Sequence, residues 1–230
     1  MQFRSGAVFA GVVITALAFC GFDGFSIKAA PKVGDVHKYR QMGKFDVGGT
    51  EIDFSSVSTQ KILKVEPSGS YTVKEEVSET KMNGAVLPNN QSPQGNTTTY
   101  SAKGEITKIE GDGVDEGVYR FANIALVILP DKTVSPGDSW SFDIKEDKTK
   151  GVMAATAKYT LVGEDKVGAI NALKVKFGVK EAAAGGGSSD GAVWINKVDG
   201  SLVKLTAKLI NVPVQGGPTI SGDMAVTLIQ

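Results

Sequence analysis

The sequence predicts a mainly β protein: an internally duplicated antiparallel meander forming a strongly curved sheet or barrel, with one short helix between the halves. Three observations predict it. Apolar and polar residues alternate with a period of two along most of the chain, as in Leu173, Val175, Phe177 and Val179 against Lys174, Lys176 and Lys180. A pleated strand sends such residues to opposite faces. Glycine is abundant, at 28 of 230 residues, and aromatics make up only 7%, which suits many turns and argues against a helical protein. Finally, Gly34-Asp35-Val36-His37-Lys38-Tyr39 returns as Gly137-Asp138-Ser139-Trp140-Ser141-Phe142, in each case a Gly-Asp turn launching a strand with two ring residues on one face.

Residues 1–20 carry one positive charge, an apolar run from Ala7 to Phe19 and small residues at Ala16 and Ala18. They read as a secretory signal peptide, too short to span a bilayer comfortably. Leu17-Ala18-Phe19-Cys20 also approaches a lipobox, in which Cys20 would be the lipidated first residue of the mature chain, although Phe19 is bulky for that motif. The expected destination is the periplasm, the cell surface or the medium, with no transmembrane span in the mature chain. Cys20 is the single cysteine, so the mature fold holds no disulfide and rests on its core.

Residues 21–32 form a tether, and structure is expected from near Val33. The first β repeat covers 33–113. Within it, strands run from Val36 to Val47, from Thr50 to Glu66 and from Tyr71 to Met82, joined by turns at Gly48-Gly49 and Pro67 to Ser70. Val57, Thr59, Leu63 and Val65 are expected on one face of the second strand. Asn83 to Asn96 reads as a long hairpin loop, followed by short strands at Thr97 to Ser101 and Glu105 to Ile109.

A connector at 114–133 breaks the alternation. Val118, Phe121, Ala122, Ala125 and Ile128 fall near helical spacing, and Asp115 and Glu116 suit a first turn. The all-apolar run Ile124 to Leu129 fits a buried strand equally well. The second β repeat, 134–230, begins with Trp140, Phe142 and Ile144 alternating inward. It continues through the stripes Met153 to Leu161 and Leu173 to Val179, a Gly-rich loop at Ala182 to Ser189, a hairpin through Asp199-Gly200 and a closing strand at Met224 to Ile229. The two repeats are expected to share one domain.

The side-chain inventory excludes more than it suggests. Lys plus Arg and Asp plus Glu number 25 each, which leaves no electrostatic footprint for nucleic acid. His37 is the lone histidine, so neither a His-rich metal site nor a His-based triad is expected. The acidic loop Glu110 to Glu116 lacks calcium-loop spacing, and Gly185-Gly186-Gly187 precedes no helix as a phosphate loop would. No catalytic residue, metal or cofactor is expected. Glu75 falls on the drier face of its strand.

What remains is apolar surface. A curved meander could enclose a hydrophobic pocket lined by Trp140, Phe142, Tyr159, Leu173, Val175 and Phe177, with Phe121 and Leu126 on a lid formed by the connector. The same stripes equally describe a solid core. The function expected is therefore non-covalent binding of a lipid or other hydrophobic small molecule. The alternative is a solid structural or interaction module whose partner is another envelope protein.

Gly191-Ala192-Val193-Trp194-Ile195-Asn196, with Asp199-Gly200-Ser201-Leu202-Val203-Lys204, resembles a hairpin of Lol-type lipoprotein carriers and related periplasmic lipid-binding half-barrels. That resemblance implies a curved antiparallel sheet wrapped around helices, binding acyl chains without chemistry. This chain departs from it in having less helix and an internal duplication. The leader, with Leu129-Pro130, Val134 and Gly137-Asp138-Ser139-Trp140, is similar to bacterial secreted or lipoprotein families of unknown function.

Overall fold

The structure is a computed structural model and describes residues 24–88, 93 and 95–229. The leader and Cys20 lie outside the described residues. The first half holds β1 (Val36–Val47), β2 (Thr50–Val65), β3 (Tyr71–Met82), β4 (Ala85–Val86), β5 (Thr97–Tyr100) and β6 (Ile106–Glu110). After α1 (Glu116–Ile124), the second half holds β7 (Ser139–Ile144), β8 (Ala155–Val167), β9 (Ile170–Glu181), β10 (Ser188–Asn196), β11 (Leu202–Pro213) and β12 (Thr219–Leu228).

Among the described residues the strands form one antiparallel sheet in the order β6-β5-β3-β2-β1-β12-β11-β10-β9-β8-β7, with β4 paired to β3 alone. The sheet stays open, with β6 and β7 as its free edges, and no barrel closes. Both halves run across it in the same direction, and β12 splices the end of the second to the start of the first.

The duplication extends to individual hydrogen bonds. At the start of the first half, Gly34 N–H donates to Ile62 O and Ile62 N–H to Asp35 O, while the Asp35 carboxylate accepts from Lys32 N–H. At the start of the second, Gly137 donates to Leu161 O and Leu161 N–H to Asp138 O, while the Asp138 carboxylate accepts from Ser135 N–H. Both glycines sit at φ 93°, in the left-handed region where a side chain would be strained. A β-bulge follows in each half, at Leu63 and at Val162, and the two bulged residues are exposed to almost the same extent, 43% and 44%.

The helical reading of the connector holds for its first part, while its apolar remainder is buried without forming the strand that the sequence also allowed. Asp115 caps α1 by accepting from Val118 N–H (3.0 Å), and its second oxygen accepts from Gly216 N–H (2.7 Å). From Ala125 the chain runs through the interior without pairing as a strand. Its carbonyls are satisfied by side chains: Ile124 by Ser189 Oγ (2.5 Å), Leu126 by the Tyr159 hydroxyl (3.0 Å) and Ile128 by Trp140 Nε1 (2.8 Å). The helix is locked to β9 by Arg120, whose Nε and Nη2 reach the two oxygens of buried Glu181 at 2.8 and 2.6 Å. Tyr119 covers the free edge of β6, its hydroxyl accepting from Ile109 N–H (3.0 Å) and donating to Ile109 O (3.2 Å), where a neighbouring strand would otherwise pair.

Three local expectations change. The segment before Val33 is packed from Gly24 onward, since Phe25 bridges Val134 and Ile27 is buried in the core, so the fold starts earlier than its Gly- and Ala-containing composition suggests. The Asn83 to Asn96 stretch is not loop throughout. Asn83 and Gly84, at φ 50° and 79°, make a tight turn that pairs β4 back onto β3. In β2, the bulge at Leu63 reverses the side-chain alternation, so Val57 and Val65 fall on opposite faces.

A cleft where the two repeats differ

The register places the equivalent rows of the two repeats side by side for comparison. In the second half, Trp140 lies opposite Tyr159, and Tyr159 opposite Phe177. In the first half the same positions, counted from the shared Gly-Asp turn and the shared bulge, are His37 opposite Gln60 and Gln60 opposite Glu75. A row of three rings in one repeat is a row of three polar side chains in the other. Directly opposed residues share a sheet face, so both rows face the interior.

The consequence is visible across the sheet. One line of opposed residues reads Leu161, Val175, Val193, Leu205 and Val226 through the second half, then Gln41 and Ser56 as it crosses into β1 and β2. On the second-half side the interior is filled, and Leu161, Val175, Val179 and Val193 are almost completely buried. Beneath the first half lies an open cleft of about 420 Å³ between the sheet and α1. Its volume lies in the usual range for small-molecule sites.

Ile62, Val73 and Ile106 on the sheet, and Val118, Phe121, Ala122, Ala125 and Leu126 on the connector, give the cleft an apolar body. His37, Gln60, Glu75, Asn96 and Thr98 supply a polar wall. Three tyrosines add rings. Tyr71 and Tyr100 stack with centroids 5.2 Å apart, and Tyr39 donates to Leu202 O (3.2 Å). Burial pushes the Tyr71 phenol up to about 12 and holds Tyr39 and Tyr100 well above the ordinary range. Asp199 adds to the effect at Tyr39, and Tyr71 and Glu75 add to it at Tyr100. All three are therefore neutral rings at physiological pH.

Of the residues expected from sequence to line a pocket, Phe121 and Leu126 border this cleft. Tyr159, Leu173, Val175 and Phe177 are buried in the second-half core, with Trp140 and Phe142 packed against it, and none of the six borders the cleft. The Val118 to Leu129 segment forms the cleft floor and is itself core, with Ile124, Leu126, Ile128 and Leu129 buried. Sequence reasoning put Glu75 on the drier face of its strand without assigning it to a site, and it named none of Gln60, Tyr71 and Tyr100 as a site residue. The available signal was the His37 and Trp140 equivalence, extended strand by strand.

Two other depressions are less site-like. An outward groove of about 630 Å³ crosses β10, β11, β12, β1 and β2, where Asp190, Lys208, Asp223, Lys44 and Asp53 lie opposite one another in sequence. Its charges alternate and so neutralise each other. A smaller gap of about 410 Å³ separates the free edges near Ile106 and Phe142. The hairpin residue Trp194 faces outward, its ring between Lys174 and Lys204 and its Nε1 donating to Asp165 (2.8 Å). Among the described residues no helix is long and apolar enough to cross a membrane.

No family model and no curated protein sequence matches the chain. Among solved structures it is similar to a protein of YmcC-like fold from Bacteroides fragilis, with 12% identity over 88% of this chain and 97% of that one and a TM-score of 0.37. It is also similar to the hypothetical lipoprotein YmcC from Escherichia coli, with 11% identity over 83% and 87% of the two chains and a TM-score of 0.33. A DUF1329 family protein from Desulfovibrio piger matches with 11% identity over 86% and 87% and a TM-score of 0.21.

Proposed function

We propose that this is an exported, non-catalytic binding protein of the bacterial cell envelope that holds a small amphiphile beneath its first repeat. One observation carries the reading: the aromatic row Trp140, Tyr159 and Phe177 fills the interior of one repeat, while its counterpart His37, Gln60 and Glu75 lines an open cleft in the other. A solid module would gain stability from rings in both rows. The apolar part of the ligand lies against Ile62, Val73, Phe121 and Ala122, and its polar end reaches the row on β1, β2 and β3. The leader read in residues 1–20 supports export.

The test is titration with N-phenyl-1-naphthylamine, an uncharged probe that brightens in apolar sites, using protein expressed with its leader and purified from the envelope fraction. Saturable one-to-one brightening is expected, with loss in an Ala122→Trp variant that fills the cleft from α1. Brightening that persists unchanged in the variant, or none in the wild type, would rule the cleft out.

A further inference from the structure

We infer that the ligand's polar end is a cation, an ammonium or quaternary ammonium head held among the cleft's tyrosine rings and carboxylates. This rests on the binding reading above and specifies its ligand class. Charge is the first ground. Among the described residues Asp35, Glu75 and Asp199 line the cleft, no lysine or arginine does, and His37 is the sole basic side chain on its wall. In a chain with equal numbers of basic and acidic residues, that is a local imbalance.

The second ground is that Glu75 has no side-chain partner among the described residues. Its neighbours along β3 point outward and form their own ion pair, Lys74 to Glu76 at 2.8 Å, whereas no hydrogen bond or ion pair among the described residues holds the Glu75 carboxylate. Half-buried at the cleft wall, the Glu75 carboxylate can take an approaching cation as its partner. Its counterpart in the second repeat is Phe177, so the position tolerates an apolar residue and the fold does not require a charge there.

The rings are the third ground. Tyr71 and Tyr100 stack with centroids 5.2 Å apart and line the same cleft as Tyr39 and Glu75. Neutral tyrosine faces attract cations, and a carboxylate lining the same cleft adds a charge of the opposite sign. An anionic head would meet Glu75 and the carboxylates of Asp35 and Asp199, with His37 the one basic side chain among the described wall residues.

The experiment is calorimetric titration of the envelope-purified protein with three ten-carbon amphiphiles below their micelle concentrations: decyltrimethylammonium, decyldimethylamine oxide, which is uncharged at neutral pH, and decyl sulfate. The cationic member is expected to bind roughly tenfold more tightly than the uncharged one, with the sulfate weakest. Glu75→Gln should remove most of that preference, bringing the affinity for the cationic head down towards that for the amine oxide. Tyr100→Leu, on a different strand, should reduce the preference as well. Equal binding of all three heads, or a preference for the sulfate, overturns the cation while leaving an amphiphile site in place. If none of the three binds, both readings fall.

Discussion

If the first-half row is a vacated version of the second-half row, exchanging residues between them should have opposite consequences for stability. Consider Glu75→Phe. The carboxylate holds no hydrogen bond or ion pair among the described residues, so little is lost on removing it. Fully burying a phenylalanine ring contributes about 1.5–3 kcal/mol. The cleft is open on one side, which reduces that to about half, or about 1 kcal/mol. The net stabilisation is about 1 kcal/mol, or roughly 2–4 °C in Tm for a chain of this size.

Phe177→Glu reverses the exchange. Phe177 is 4% exposed, opposite Tyr159 on one side and Gly191 on the other, and its replacement loses the ring and buries a carboxylate with no cation in reach. The cost is about 5 kcal/mol or more, a large share of the total stability of an ordinary domain. Urea denaturation followed by circular dichroism measures both. A Glu75→Phe variant destabilised by more than about 1 kcal/mol, or a Phe177→Glu variant that costs less than about 2 kcal/mol, would refute the equivalence of the rows.

Other predictions concern how the connector is held. Arg120→Met should destabilise by about 3–5 kcal/mol, because it leaves Glu181, 2% exposed, with only the Gly187 N–H; adding Glu181→Leu should recover part of the loss in a double-mutant cycle. Tyr119→Phe should cost about 1–3 kcal/mol in denaturant melts by uncovering Ile109 N–H and O at the free edge. Asp115→Ala should cost about 1 kcal/mol at pH 7. Hydrogen bonds from Val118 and Gly216 N–H hold the Asp115 carboxyl below its ordinary range. Its contribution is therefore fully present above about pH 3.9 and is lost as the pH falls through the lower folded value, so the gap between wild type and variant should close in melts recorded down to pH 2.

Much of this architecture is legible in the sequence, because strand period and turn chemistry are local. The bounds of β1 and β3 follow from alternation between Gly and Pro punctuation, and the Gly-Asp turns announce a repeat that the hydrogen bonds bear out. The open edges are not legible, since closure depends on the sheet's curvature and on Tyr119 and the interior run of the connector occupying the space between β6 and β7. The inward face of β2 is hidden for a different reason. Val57 and Thr59 read as the inward stripe, yet pairing with β1 turns Ser56, Ser58 and Gln60 to the interior, and Val57 is buried on the opposite face. Apolar stripes draw attention to Trp140, Tyr159 and Phe177, and the cleft lies at the matching positions where those rings are missing.

The measurement that tests the account most directly is native mass spectrometry of the protein purified gently from the envelope fraction, beside a Gln60→Tyr/Glu75→Phe variant that restores the aromatic row. The account predicts a wild-type chain carrying an added small-molecule mass that is lost on denaturation, and a variant at its bare polypeptide mass. A bare wild-type chain, or an adduct retained equally by the variant, would contradict it.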